Sequence, residues 1–414
     1  MHRQLAAEPT REDHRATPLE LFFDVVYVFA FTQVTHLMSA QGGALGMLQG
    51  LAVFGVLWWS WASYAWLANQ VHAQHGIGRI GILAAVVLVF VLSLAIPATY
   101  HDRPGALLAP LVFAVGYIGV CIAYTLVNLV AAGDDARLRS QVIRTMGVTI
   151  LLVSPVLLAG ALLGGTAQIG LWLAAVIIQG ATVFLTSHGG EWRLPSAAHY
   201  AERHQLVVIL ALGESVVSIG AGAAEHPVSA GIVVGAVFSI VLAAAMWWNY
   251  FHRLADVAER AMADLDGVRR TSTGTAGTYL HLGIVGGILL VALGLQQAMQ
   301  HVESMAAFGF FGAGALGIGL ALNLAASAVY WWQLTGQAAT VVAVRLATAL
   351  ISVLLIPALA AVPAFAAIAL AAAVCVALAV VERVPTAPAE ESCPPRAEIS
   401  SRAASGLHNV LGSM

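Results

Sequence analysis

An all-α polytopic membrane protein of about 12 transmembrane helices is the fold class this sequence predicts, on three observations. Of its 414 residues, 60% are hydrophobic and 9% charged, a balance for which a soluble domain of this length has no use. The apolar residues gather into stretches of about 20, the length at which a helix crosses the hydrocarbon core. The arginines alternate between the connecting segments in the pattern that sets orientation in a membrane.

A polar leader, residues 1–18, precedes apolar segments at about 19–40, 46–68, 80–98, 106–130, 142–163 and 168–187. A polar segment, 188–204, follows and reads as a cytoplasmic loop. Six more apolar segments lie at about 205–222, 230–252, 277–298, 306–332, 338–359 and 361–382. Residues 383–414, rich in Pro, Glu and Ser, read as a disordered cytoplasmic tail. With the N-terminus inside, the leader, the even-numbered loops and the tail hold 17 of the 18 arginines, and the odd-numbered loops hold Arg103. Both termini are therefore expected in the cytoplasm. Only Pro357 and Pro363, with no charge, separate the last two helices. Arginines ahead of an apolar run resemble a signal peptide, but Glu20 and Asp24 interrupt that run and no small-residue cleavage site follows. The first helix is expected to be retained.

The two sets of six helices carry landmarks in the same order, which predicts a 6+6 tandem repeat, residues 19–187 and 205–382. Glu20 and Glu202 open the first helix of each set, and Trp58-Trp59 answers Trp247-Trp248. Arg79 at the third helix answers His281, and Arg144 with Pro155 answers Arg345 with Pro357. An even number of helices per repeat gives parallel topology, with a central site between the halves. In this alignment Asp24 corresponds to Leu206 and Thr32 to Glu214, so each half contributes one intramembrane acid at its own depth.

Those acids are the main candidates for function. On a helix Glu20, Asp24, Tyr27 and Phe31 share one face, with Thr32 and His36 on a neighbouring one. A carboxylate near the bilayer centre costs roughly 2.5–3.5 kcal/mol even on lenient scales, so this stripe is expected to face protein or a water-filled cavity. Glu214 lies mid-bilayer in the seventh helix with Ser218 one turn on, and Gly213 beside it is expected to let a neighbouring backbone approach. Asp24 is expected to pair with an arginine such as Arg144 or Arg345, which serve equally well as positive-inside anchors. Glu202 and Arg203 read as a charge pair at the mouth of the seventh helix. His199 with Glu202, and His188 with Glu191, have the i, i+3 spacing of a metal-ligand pair, although polar residues in a cytoplasmic loop need no such role. Aromatic residues crowd the inner ends of even-numbered helices as an interfacial belt, but Trp58 lies too deep for headgroups and suits either a cavity wall or helix packing.

Other classes are excluded. A net charge of −3 without a basic block argues against nucleic acid. Cys121, Cys375 and Cys393 form neither a disulfide framework nor a metal-type spacing. Gly312-Ala-Gly-Ala-Leu-Gly317 matches the dinucleotide fingerprint as a string, but it lies inside an apolar span with no strand before it. No cofactor is predicted.

Leu19-Glu-Leu-Phe-Phe-Asp-Val-Val-Tyr-Val-Phe29 and Glu202-Arg-His-Gln-Leu-Val-Val-Ile-Leu-Ala-Leu-Gly-Glu-Ser215 together resemble the bacterial low temperature requirement protein A (LtrA) family, over most of the chain to about residue 382. Glu20, Phe23, Asp24, Glu202, Arg203, Gly213 and Glu214 stand where that pattern has its landmarks, and Gln205 departs from its glycine. The resemblance implies a multi-pass protein of the bacterial inner membrane and leaves the mechanism open. The residues themselves point to a proton- or cation-coupled secondary transporter of a small molecule. The alternatives are a membrane-embedded enzyme acting on a lipid or hydrophobic metabolite at the cytoplasmic face, and a channel. The expected partners are the lipid bilayer and that small-molecule substrate.

Overall fold

Thr17 sets the start of the first helix. Its hydroxyl caps the backbone N–H of Glu20 while the Glu20 carboxylate reaches back to the backbone N–H of Thr17, a reciprocal capping box with Pro18 at the first helical position. The helix α1 (Pro18–Gln41) that follows is one of 12 helices, among the described residues, long and apolar enough to cross a membrane. The computed structural model describes residues 15–100, 108–187, 194–224, 226–336 and 340–383. The described residues up to Ala379 form one compact unit, and a second begins at Val380.

The spans after α1 are α2 (Gly43–Gln70), α3 (Gly76–Ala95, continued by a 3-10 turn to Ala98) and α4 (Ala109–Ala132). The fifth span joins α5 (Ala136–Val148) to α6 (Ser154–Leu163) through a π turn, and α7 (Gly165–Ser187) is the sixth. The π turn has a local cause: Pro155 has no N–H and its ring pushes against the preceding turn, while the carbonyl of Thr149 takes the N–H of Ser154 instead. Next come α8 (Ala197–Ala223), α9 (Ala230–Phe251) with the short amphipathic α10 (Leu254–Asp264), α11 (Gly267–Gln300) and α12 (Phe310–Thr335). The eleventh span is broken at Leu355, two residues before Pro357, into α13 (Thr340–Leu354) and α14 (Ile356–Ala361), and α15 (Ala364–Arg383) is the last.

Two boundaries differ from the sequence reading, for one reason. The seventh span begins at Ala197, not near residue 205, and the ninth at Gly267, not near 277. Hydropathy stopped at His199, Arg203, His204 and the Thr/Ser run of 271–278, yet these residues are helical, and most are buried because partners on other helices satisfy them. The expected loop 188–204 is thus mostly not loop where it is described: only 194–196 precede the helix, with Ser196 as its cap.

Large apolar side chains exposed along the spans, such as Phe22, Val87, Leu185 and Val237, form the surface that lipid covers. The most enclosed spans are α11 and α12, 78% and 72% buried over their most apolar windows, against 22% for the eleventh span. They approach so closely because of glycine: a Cβ on Gly287 would lie 2.6 Å from Asn323 N and Gly319 O, and one on Gly319 would lie 2.8 Å from Gly287 O. Gly213, expected to permit such an approach, does not, since a Cβ there would meet nothing within 4 Å. Gly287→Ala therefore opposes two backbones and should destabilise the protein by about 1–3 kcal/mol, read as a lower thermal midpoint in detergent. Gly170→Ala, with nothing within 4 Å, should leave the midpoint unchanged or slightly raised.

Candidate functional site

The first helix and the seventh span run side by side in register. Glu20 and Asp24 are two and six residues into α1, and His199 and Arg203 are two and six residues into α8. Acids four apart on one helix thus meet bases four apart on the other, at the same height. Arg203 donates from both terminal nitrogens to Asp24, NH1 to Oδ2 and NH2 to Oδ1, each at 2.7 Å. This planar fork-to-carboxylate fit is what a guanidinium makes and an ammonium does not. The Trp61 indole N–H donates to Asp24 Oδ1 at 3.0 Å, and the guanidinium carbon lies 5.9 Å from that ring's centroid. All four partners of this layer, Glu20, Asp24, His199 and Arg203, are at most 1% exposed.

The hydrogen bonds assign the state of His199. Ser196 N donates to Asn69 Oδ1 at 3.1 Å, which turns Asn69 Nδ2 towards His199 Nδ1, also at 3.1 Å. A donor facing Nδ1 makes that nitrogen the acceptor. Nε2 then carries the proton and donates to Glu20 Oε2 at 2.6 Å. Arg203 Nε stands 3.6 Å from the same oxygen.

Nearer the middle of both helices, Glu214 accepts from Ser218 Oγ at 3.0 Å and bonds to Thr32 Oγ1 on α1. Thr32 also lies 3.1 Å from the carbonyl of Val28. One hydroxyl proton faces two acceptors here. An ionised Glu214 takes it, while a protonated Glu214 donates to the threonine oxygen and lets the hydroxyl turn to Val28. The site therefore satisfies the carboxyl in either state. Thr32 and Glu214 are the two positions that the repeat alignment equates.

Several expected residues are placed otherwise. Asp24 pairs with Arg203, not with Arg144 or Arg345: Arg144 is exposed, and Arg345 is buried, donating to the Asn249 carbonyl at 2.6 Å and lying over Trp331. Nor are Glu202 and Arg203 a pair, because successive residues on a helix point about 100° apart. Glu202 instead accepts the backbone N–H of Ala16 at 2.8 Å. His199 points to Glu20 and Asn69, so the proposed ligand pair with Glu202 is not assembled, and His188 and Glu191 lie outside the described residues. Among the described residues no group of three potential metal ligands occurs. His36 is exposed on the outside of α1, away from the polar stripe. Trp58 is fully buried between Phe54 and Trp61, where it packs within the bundle.

Sequence reading missed what α2 and α11 contribute. His204 donates Nδ1–H to the Tyr200 carbonyl at 2.9 Å and presents Nε2 to Thr278 Oγ1 at 3.3 Å, and that hydroxyl also receives Trp66 Nε1 at 3.1 Å. The His281 ring, 4.7 Å from that of His204, holds the Gly277 carbonyl by Nδ1 and faces the Tyr250 hydroxyl with Nε2 at 2.7 Å. Asn69, a polar residue at the end of an apolar span, was the signal on α2 for the neighbouring contact with Ser196 and His199.

On α2 the face carrying Trp59, Ala62, Ser63 and Trp66 is opposite that carrying Trp61. It lines a cavity of about 60 Å³, several times the roughly 10–15 Å³ that one buried water needs. Tyr124, Thr145, Thr186, Thr275, Thr278 and Tyr279 are among the other walls.

A membrane-embedded bundle with a buried ion pair and a second buried acid defines a multi-pass integral membrane protein whose polar groups face one another rather than lipid. The family described as Bacterial low temperature requirement A protein (LtrA) matches residues 15–380, and the chain belongs to it. The chain is also 28% identical over 323 residues to the uncharacterized protein RA0937 of Rhizobium meliloti (strain 1021), a match covering 75% of this chain and 76% of that one. No solved structure matches it.

The Asp24–Arg203 contact predicts a particular double-mutant cycle. Arg203→Met alone leaves a buried carboxylate unpaired and should cost about 3–5 kcal/mol, seen as a lower thermal midpoint. The double substitution Asp24→Asn, Arg203→Met should cost clearly less than the sum of the single changes.

Proposed function

We propose that this protein is a secondary transporter, coupled to protons or another cation, in which Asp24 and Glu214 are the coupling acids. The observation that carries the reading is that the acids stand at two depths of a single helix pair, α1 and α8, and each is held by a group on the other helix. In this reading residues 19–187 and 205–382 are two parallel six-helix halves, and the α1/α8 contact lies between them. The equivalence of Thr32 and Glu214 supports that arrangement, as do the proline interruptions of the fifth and eleventh spans. The protein would lie in the bacterial inner membrane with both termini in the cytoplasm, as the arginine distribution favours.

The coupling follows from the chemistry of the two sites. At the outer one, the Thr32 hydroxyl adapts to either state of Glu214, so a proton can be taken up or released without stranding a buried polar group. At the inner one, a proton on Asp24 removes the charge that holds Arg203, and a contact worth several kcal/mol becomes breakable. Movement of one half against the other then becomes a response to proton occupancy.

Glu214→Gln keeps the shape and both hydrogen-bond partners but removes the exchangeable proton. In proteoliposomes loaded with a pH dye, substrate entry should acidify or alkalinise the lumen for the wild type and leave the pH unchanged for the variant, at an unaltered thermal midpoint. Proton movement persisting in the variant would show that Glu214 is not a carrier. The orientation has its own test, in a chain whose three native cysteines are replaced by serine. A membrane-impermeant maleimide added to spheroplasts should label His301→Cys and spare Asp134→Cys, and the reverse pattern would invert the topology.

A further inference from the structure

The cavity on the Trp59 face of α2 has a lining of unusual hydrogen-bond polarity. Ser63, Thr186 and Thr275 each donate their hydroxyl proton to the carbonyl four residues earlier in their own helix, at 2.7–2.9 Å. What they leave for a ligand is lone pairs. The rings of Trp59, Trp66, Tyr124 and Tyr279 form further walls, with Trp59 and Tyr279 edge to face at 5.0 Å. Their faces are the negative ends of aromatic quadrupoles. No charged side chain is among the described residues that line the cavity.

We propose that this cavity is the substrate site, and that its ligand is a small organic cation, an ammonium group with short alkyl substituents. The ammonium faces the rings and the hydroxyl lone pairs. An anion finds no cationic side chain in the lining, and an uncharged molecule draws nothing from the ring faces that an ammonium would. The proposal rests on the transport reading for its purpose, but its binding chemistry is testable without any flux. Thr278 gives the cavity a contact with the coupling layer, since its hydroxyl also receives Trp66 Nε1 and faces His204 Nε2, one residue from Arg203.

The probes are choline and 3,3-dimethylbutan-1-ol, its uncharged isostere, titrated by calorimetry and tryptophan fluorescence into the full-length protein in nanodiscs. Choline should bind saturably and the alcohol about tenfold more weakly or worse. Trp59→Leu should weaken choline by about tenfold while Trp59→Phe, which keeps the ring face, changes it by less than about threefold. Trp66→Leu, with the same expected loss, replaces Trp59→Leu if the latter does not fold. Equal binding of the alcohol, absence of saturable choline binding, or full affinity in the folded leucine variant would each overturn the assignment. Binding is read at equilibrium, so a Glu214→Gln variant that keeps proton coupling would remove Glu214 from the coupling mechanism and leave this site standing. Absence of choline binding would do the reverse.

Discussion

The bidentate contact between Arg203 and Asp24 is the interaction on which the rest of this interior depends. Neither charge belongs inside a membrane alone, and neither helix would bury its first two turns without the other. With the pair made, α1 and α8 lie in register, which brings Glu20 to His199 and, further along, Thr32 to Glu214. The capping groups Thr17 and Ser196 start both helices so that this register results. Asn69 ties the second cap and His199 to α2.

Around that layer, polar side chains are handled in two ways. Hydroxyls are mostly returned to their own helix, donating to the carbonyl one turn back, which makes them inexpensive to bury and leaves them as acceptors. Imidazoles at 204 and 281 do the same with Nδ1 and keep Nε2 for a hydroxyl on a neighbouring helix. The interior is consequently rich in acceptors and aromatic faces, and its few cationic side chains are engaged elsewhere. Helix α2 separates two environments: Trp61 serves the ion pair, while Trp59 and Trp66 wall the cavity. A change of charge at Asp24 would thus be felt across a single helix by whatever occupies the cavity.

The aromatic clusters show how far periodicity reaches. Trp247 and Trp332 are half exposed, as members of an interfacial belt are, whereas Trp58 and Trp61 are buried in the bundle. Spacing alone treats them alike. The same holds for arginine: Arg144 and Arg203 both stand in the first turns of a span, yet one is exposed and the other is wholly enclosed.

By itself the sequence determined the number of spans and the presence of intramembrane acids in the first and seventh, and it placed Pro155 and Pro357 where the structure shows the fifth and eleventh spans to be interrupted. These follow from local quantities: hydropathy over about 20 residues, the cost of a charge in hydrocarbon, and the missing N–H of proline. Tertiary structure decided the partners. That Asp24 holds Arg203 rather than Arg144 or Arg345, that His199 serves Glu20 rather than a metal pair with Glu202, and that the seventh span starts eight residues early all depend on groups some 180 positions away in the chain. A buried charge announces that it needs a partner. Which partner it finds is set by helix register and facing, which only the packed bundle contains.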